Sequence, residues 1–252
     1  MSDTGVIERV RQALGRTAPL AMPPVPPAID ESITRLTRSD ADLAAMFMKN
    51  AGDLKMLVER TSRDELVGRV TSFLREKNCR KVALSDSPVL KNLGLIEALR
   101  IAGIDAKSWQ QISLDELYDG YDCGITDVTY AVAETGSLVI KTTAEHGRGL
   151  SLVPMFHIAI IEPQNFVPDL VDLFTRLPKE GAGNHVMLIS GPSKTADIEM
   201  NVVTGVHGPN VVKAFLLAGK NDAPAAAKPQ KSKTDLSYFD SIQPDAPAPP
   251  ET

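Results

Sequence analysis

The chain has 252 residues, 43% hydrophobic and 23% charged, which is the balance of a globular protein with a sizeable core. Its 27 Lys and Arg against 32 Asp and Glu give a net charge of −5, with no basic run, which argues against nucleic acid as the main partner. No apolar stretch approaches the roughly 18 residues of a membrane span, and the first residues have no signal-peptide pattern, so a cytoplasmic protein is expected.

The elements are predicted in chain order. A helix covers residues 1–16, where Val6, Ile7, Val10 and Leu14 fall at helical spacing and Gly15 supplies a stop. Five of the 18 prolines crowd into residues 19–27, so 17–29 reads as an extended linker. An α/β domain is placed over 30–220. It opens with a helix over 30–51, a strand over 54–59 and a helix over 63–77 that carries Leu66, Val67, Val70, Phe73 and Leu74 on one face. A strand over 81–85 and a helix over 89–103 follow. Short strands are read at 128–133 and 137–142 around a turn, then at 150–154 and 157–161. A helix over 166–177, a strand over 185–190, a helix start within 191–199 and a strand over 211–217 complete the domain. Six further prolines fall in 223–252, so 221–252 reads as a disordered tail, in which DLSYFDSI (235–242) is unusually apolar. Strands alternating with helices imply a layered α/β fold, mostly parallel, and the short strands at 128–161 imply a mixed part.

Three segments place glycine, small hydroxyl residues and charge at the ends of predicted strands, where ligands bind in open α/β sheets. In AETGSL (133–138), Glu134 is a candidate general base or nucleophile, and Gly136 and Ser137 offer backbone amides to an anion; a tight hairpin turn is the alternative. In AEHGRGLSLVP (144–154), Arg148 suits bidentate grip of a carboxylate or phosphate, and His146 suits proton transfer; the alternative is a polar loop. In GPSKTADIE (191–199), a helix N-terminus with Gly191, Ser193, Lys194 and Thr195 suggests an anion cradle, with Asp197 near enough to orient Lys194. His207 stands between two glycines in GVHGP (205–209), a backbone held close to a ligand or a packed element.

His157 and His185 open apolar strands and read as structural. No paired histidines, Walker loop, complete dinucleotide fingerprint or G-x-S-x-G elbow is present. The two cysteines, Cys79 and Cys123, are far apart in sequence and form no C-x-x-C, so neither a metal site nor a cofactor is expected in this chain.

Taken together, AETGSL, HIAII, GPSKTADIE and GVHGP, in this order and spacing, resemble the LUD-domain family over roughly residues 5–219. The N-terminal QALGR followed by a proline-rich stretch is similar to its lactate utilization protein C branch. The resemblance implies a three-layer fold like the NagB, ribose-phosphate isomerase and CoA-transferase group. It also implies a part in oxidising L-lactate to pyruvate beside a cysteine-rich A subunit and an iron–sulfur B subunit. On that view the chain is a non-redox-active subunit holding a small carboxylate or phosphate, with iron–sulfur clusters in its partners. A second expectation, from fold analogy, is a self-sufficient enzyme on a phosphosugar or CoA ester with Glu134 at its centre.

Overall fold

The structure, a computed structural model, describes residues 4–16, 42–180, 185–196, 202–204 and 208–218. The chain separates into two units between Asp40 and Ala41. In the first, helix α1 (Thr4–Ala13) forms as expected and ends at Gly15, whose φ is 65°. The linker at 17–29, residues 30–41 of the next predicted helix and the tail lie outside the described residues.

The second unit opens with α2 (Leu43–Asp53), where the Asp42 carboxylate accepts from the Ala45 amide at 3.0 Å. Strand β1 (Leu57–Thr61) begins three residues later than expected, and helix α3 (Arg63–Glu76) and strand β2 (Lys81–Leu84) stand where the pattern predicts them. The helix expected over 89–103 is in fact two, α4 (Pro88–Asn92) and α5 (Leu95–Ile101). Gly94 between them enters the left-handed region at φ 61°. Next come three elements absent from the sequence reading: β3 (Asp105–Ser108), α6 (Leu114–Gly120) and β4 (Cys123–Asp127).

Strands β5 (Tyr130–Val132) and β6 (Ser137–Lys141) form the expected hairpin. The strand expected at 150–154 is a single helical turn, α7 (Gly149–Leu152), which buries Leu150 against Ala83 and Leu117. A short apolar run suits either structure, and tertiary packing decides. Strands β7 (Phe156–Ile161) and β8 (Phe166–Val167), helix α8 (Leu170–Arg176) and strand β9 (Val186–Ile189) follow. A helix is expected to begin within 191–199; of its described residues, Lys194–Ala196 instead form β10, antiparallel to β11 (Val202–Thr204). The last strand is β12 (Val211–Leu217).

Six strands make the main sheet in the order β1-β12-β7-β4-β2-β3, all parallel. One face packs on α3, α4 and α5 through Leu66, Leu74, Leu90 and Leu99 against Leu84, Ile125, Ile158 and Phe215. The other face meets α2 and a second sheet, β8-β5-β6-β9, through Phe47, Ala131, Leu138, Ile140, Ala159 and Ala214. Helix α8 covers the far side of that sheet with Leu173 against Val132, Val139 and Val167. The mixed, layered α/β architecture is therefore present, with the antiparallel pairing confined to the smaller sheets.

This topology creates one reversal. From β2 the chain moves outward to β3, then returns to lay β4 on the other side of β2, and builds β7 and β12 beyond it. The segment leaving β2 goes to α4 on one face of the sheet, and the segment leaving β4 goes to β5 on the other. In open α/β sheets the carboxyl ends of strands at such a reversal are where ligands bind.

Candidate functional site

At the carboxyl end of β4 its last residue, Asp127, faces His146 from the loop after β6. The imidazole Nε2 lies 2.7 Å from Asp127 Oδ1, and both side chains are largely buried, at 13% and 14% exposure. The Ser85 hydroxyl at the end of β2 donates to the same carboxylate oxygen at 3.2 Å. Burial alone would raise the Asp127 carboxyl. The bond and charge of His146, with the Ser87 hydroxyl, outweigh burial and hold it below the usual carboxylate range. The other ring nitrogen, Nδ1, is 3.3 Å from Thr143 Oγ1.

The loop bearing His146 is fixed from β3 and β2. Trp109 Nε1 donates to Glu145 O at 2.8 Å, Gln110 Nε2 to Ala144 O at 2.8 Å, and the Asp86 amide to Glu145 O at 2.9 Å. The Trp109 ring lies so close over Gly147 that a Cβ there would fall 2.5 Å from it, so only glycine fits. Arg148 follows and is exposed, without an ion pair among the described residues. It lines an open cleft of about 230 Å³ together with Trp109, Leu114, Leu117 and Gly149.

The β4 strand owes its position to a missing side chain. Gly124 admits the Leu150 carbonyl so closely that a Cβ would be 1.8 Å from that oxygen. Beside it His157, fully buried on β7, bonds through Nε2 to Thr126 Oγ1 at 3.0 Å while Nδ1 has no partner. Burial lowers this imidazole to about 3, so it is neutral at physiological pH.

The sequence-predicted residues fall into three places. Glu134, Gly136 and Ser137 form a turn packed on α2: Asn50 Nδ2 donates to the carbonyls of Ala133 and Glu134 at 2.9 and 2.8 Å. Gly136 has φ 64°, and a Cβ there would fall 2.3 Å from the Ala51 amide nitrogen, so α2 occupies the space assigned to an anion. The Thr135, Ser137 and Ser190 hydroxyls form a chain with steps of 2.8 and 2.7 Å that ties this turn to the end of β9.

Gly191, Ser193, Lys194 and Thr195 lie on the loop and strand after β9. Among the described residues of 191–199 there is no helix N-terminus, because residues 194–196 pair with 202–204. The Ser193 amide donates to Pro209 O at 2.9 Å, Gly191 packs on the Leu54 carbonyl, and Lys194 is exposed. Within the described residues the loop thus makes a backbone bond to Pro209 and a strand pairing. Asp197 and His207 lie outside the described residues. Of the predicted residues, His146 meets Asp127 at the strand ends and Arg148 lines the open cleft under Trp109. Asp127 was missed with its strand; its signal was an acidic residue ending a short run, CGITD, ahead of the β5 strand.

The sequence pattern of the LUD domain matches residues 44–217. The chain belongs to the LUD domain family. Among LUD-domain relatives, lactate utilization protein C of Halalkalibacterium halodurans is 34% identical over 160 residues, 60% of this chain and 69% of that protein. YkgG of Escherichia coli (strain K12) is 31% identical over 226 residues, 84% of this chain and 95% of that one. Lactate utilization protein C 1 of Bacillus mycoides is 30% identical over 67% of this chain and 76% of its own. The crystal structure of a DUF162 family protein from Deinococcus radiodurans shares the fold, with a TM-score of 0.54 at 23% identity over 72% of this chain and 99% of that one. Among the described residues no cluster of His, Cys, Asp and Glu could hold a metal ion, and no helix is long and apolar enough to cross a membrane.

Proposed function

We propose that this LUD-domain chain is the lactate utilization protein C-like component of a system that oxidises L-lactate to pyruvate. In this reading it holds a small carboxylate in the open cleft lined by Arg148 and Trp109, and partner subunits carry the electrons. The observation that carries the reading is Arg148, a guanidinium unpaired among the described residues, in an open cleft one glycine away from the His146–Asp127 pair. Such a guanidinium can grip a carboxylate through two parallel hydrogen bonds. The names of the H. halodurans and B. mycoides relatives support lactate as the metabolite.

The chain's own thiols suit no electron-carrying role. Cys79 and Cys123 are both buried, and two thiols are fewer than the four an iron–sulfur cluster takes. Burial, with a smaller push from the Asp122 charge, raises the Cys79 thiol to about 12. A cysteine-rich subunit and an iron–sulfur subunit, sharing the cytoplasm with this chain, are the partners this reading requires. Its test is removal of the chain from a lactate-growing strain, followed by reconstitution with those two subunits and lactate-dependent reduction of a dye. Loss of growth and of dye reduction, restored by the wild-type chain, is expected. Growth and reduction that persist without the chain overturn the reading.

A further inference from the structure

We infer that the Arg148 cleft takes monocarboxylates that carry a branched or aromatic apolar group, a class of which L-lactate is a small and weakly held member. The inference rests on the carboxylate site proposed above and names the kind of molecule that fills it.

The cleft offers one charge and more apolar surface than a methyl group can cover. Arg148 is the single charged residue that lines it among the described residues, and no acid among them pairs with it. The floor is Leu117 and Leu150, 7% and 1% exposed, which pack on Ala83. The walls are the half-buried Trp109 and Ile112, with Leu114, whose surface is 65% open. A volume of about 230 Å³ leaves room beyond the methyl of lactate, and an apolar group placed there removes surface of the ligand and of Leu114 from water together.

The surroundings are set in advance. Trp109 Nε1 donates to Glu145 O at 2.8 Å and the ring rests on Gly147, so the indole is fixed before a ligand arrives. A fixed aromatic wall suits an aromatic or branched group. Ser113, also on the lining, accepts from the Glu116 amide at 3.1 Å, which leaves the hydroxyl proton for a ligand oxygen. One guanidinium matches one carboxylate. A phosphosugar or a dicarboxylate would set further charge and hydroxyl groups against Ile112, Leu114 and Leu117 without partners there, which selects against both.

The test follows Trp109 fluorescence of the full chain with L-lactate, L-2-hydroxy-4-methylpentanoate and L-3-phenyllactate, which share the carboxylate and the hydroxyl and differ in the apolar group. A buried methylene is worth about fourfold in affinity. With roughly half of the added group covered in an open cleft, the branched acid is expected to bind about tenfold tighter than L-lactate, and the phenyl acid at least as tightly. Arg148→Gln loses all three. Leu114→Asn, at an exposed position that the fold does not need, removes most of the tenfold gain and leaves L-lactate binding unchanged. Three results overturn the inference: the three acids bind alike, the gain survives in Leu114→Asn, or the uncharged amide of phenyllactate binds as tightly as the acid. The first two leave the carboxylate site standing. If none of the acids binds and Leu114→Asn blocks assembly with the two partner subunits, the cleft is a protein contact, and the inference and the carboxylate site fall together. The broader role is judged separately, by whether lactate-dependent dye reduction needs the chain.

Discussion

His157 makes the protein acid-sensitive in a way that can be worked out in advance. Its ring is fully buried between β4 and β12, bonded on one side only, and burial lowers it to about 3, against the ordinary 6.5 of the unfolded chain. The folded state thus binds fewer protons than the unfolded state between those two values. Stability contributed by the neutral ring is complete above the unfolded value and drains away as pH falls toward the folded one. On that linkage the loss is about 1.4 kcal/mol between about pH 7.5 and 5.5, and about 2.7 kcal/mol by about pH 4.5. The assay is urea unfolding at a series of pH values for the wild type and for His157→Gln, which keeps a partner for Thr126 and does not titrate in this range. Subtracting the two curves removes what the other groups contribute. The difference should follow the stated slope. Two curves that run parallel across the whole range would mean that His157 is solvated or charged in the folded protein.

Other predictions concern packing and reactivity. Gly124→Ala forces a Cβ to within 1.8 Å of the Leu150 carbonyl oxygen and should cost about 3 kcal/mol or more in urea unfolding; a loss below about 1 kcal/mol would show that α7 moves aside freely. Asn50→Ala strips the turn carbonyls of Ala133 and Glu134 of their shared donor and should cost about 1–3 kcal/mol; an unchanged unfolding midpoint would refute the role given to Asn50. Burial raises both thiols, so at about pH 8 Cys79 and Cys123 should react with a thiol reagent only as fast as the protein opens; a rapid native reaction of either would contradict the packing.

Much of this molecule is legible in its sequence, and the failures share a physical cause. Helix α3 announces itself through Leu66, Val70, Phe73 and Leu74 at helical spacing after a Ser62 cap, all of them buried. Strand β7 shows in the unbroken run of Ile158 to Ile161, because a parallel strand is buried on both faces. Strand β4 was hidden because its middle holds Gly124, which weakens a strand by itself and is explained only by the Leu150 carbonyl arriving from 26 residues away in the chain. With β4 unseen, Asp127 had no strand end to stand on, and its pairing with His146 across 19 residues was out of reach. The glycine of GPSK was legible as a special position but not its use. Gly191 accommodates the Leu54 carbonyl, and the residues after it pair with 202–204 in place of starting a helix. Local pattern names the candidates, and tertiary contact decides which of them meet.

Trp109, the single tryptophan of the sequence, stacks over Gly147 and lines the cleft with Arg148, and so reports on that cleft directly. The decisive measurement is its fluorescence while L-lactate is added to the purified chain, with propionate as the control that lacks the hydroxyl. A saturable change with L-lactate, weaker with propionate and abolished in Arg148→Gln, is the predicted result. A signal that never saturates, or one indifferent to Arg148, would show that no hydroxy acid occupies the cleft beside Trp109.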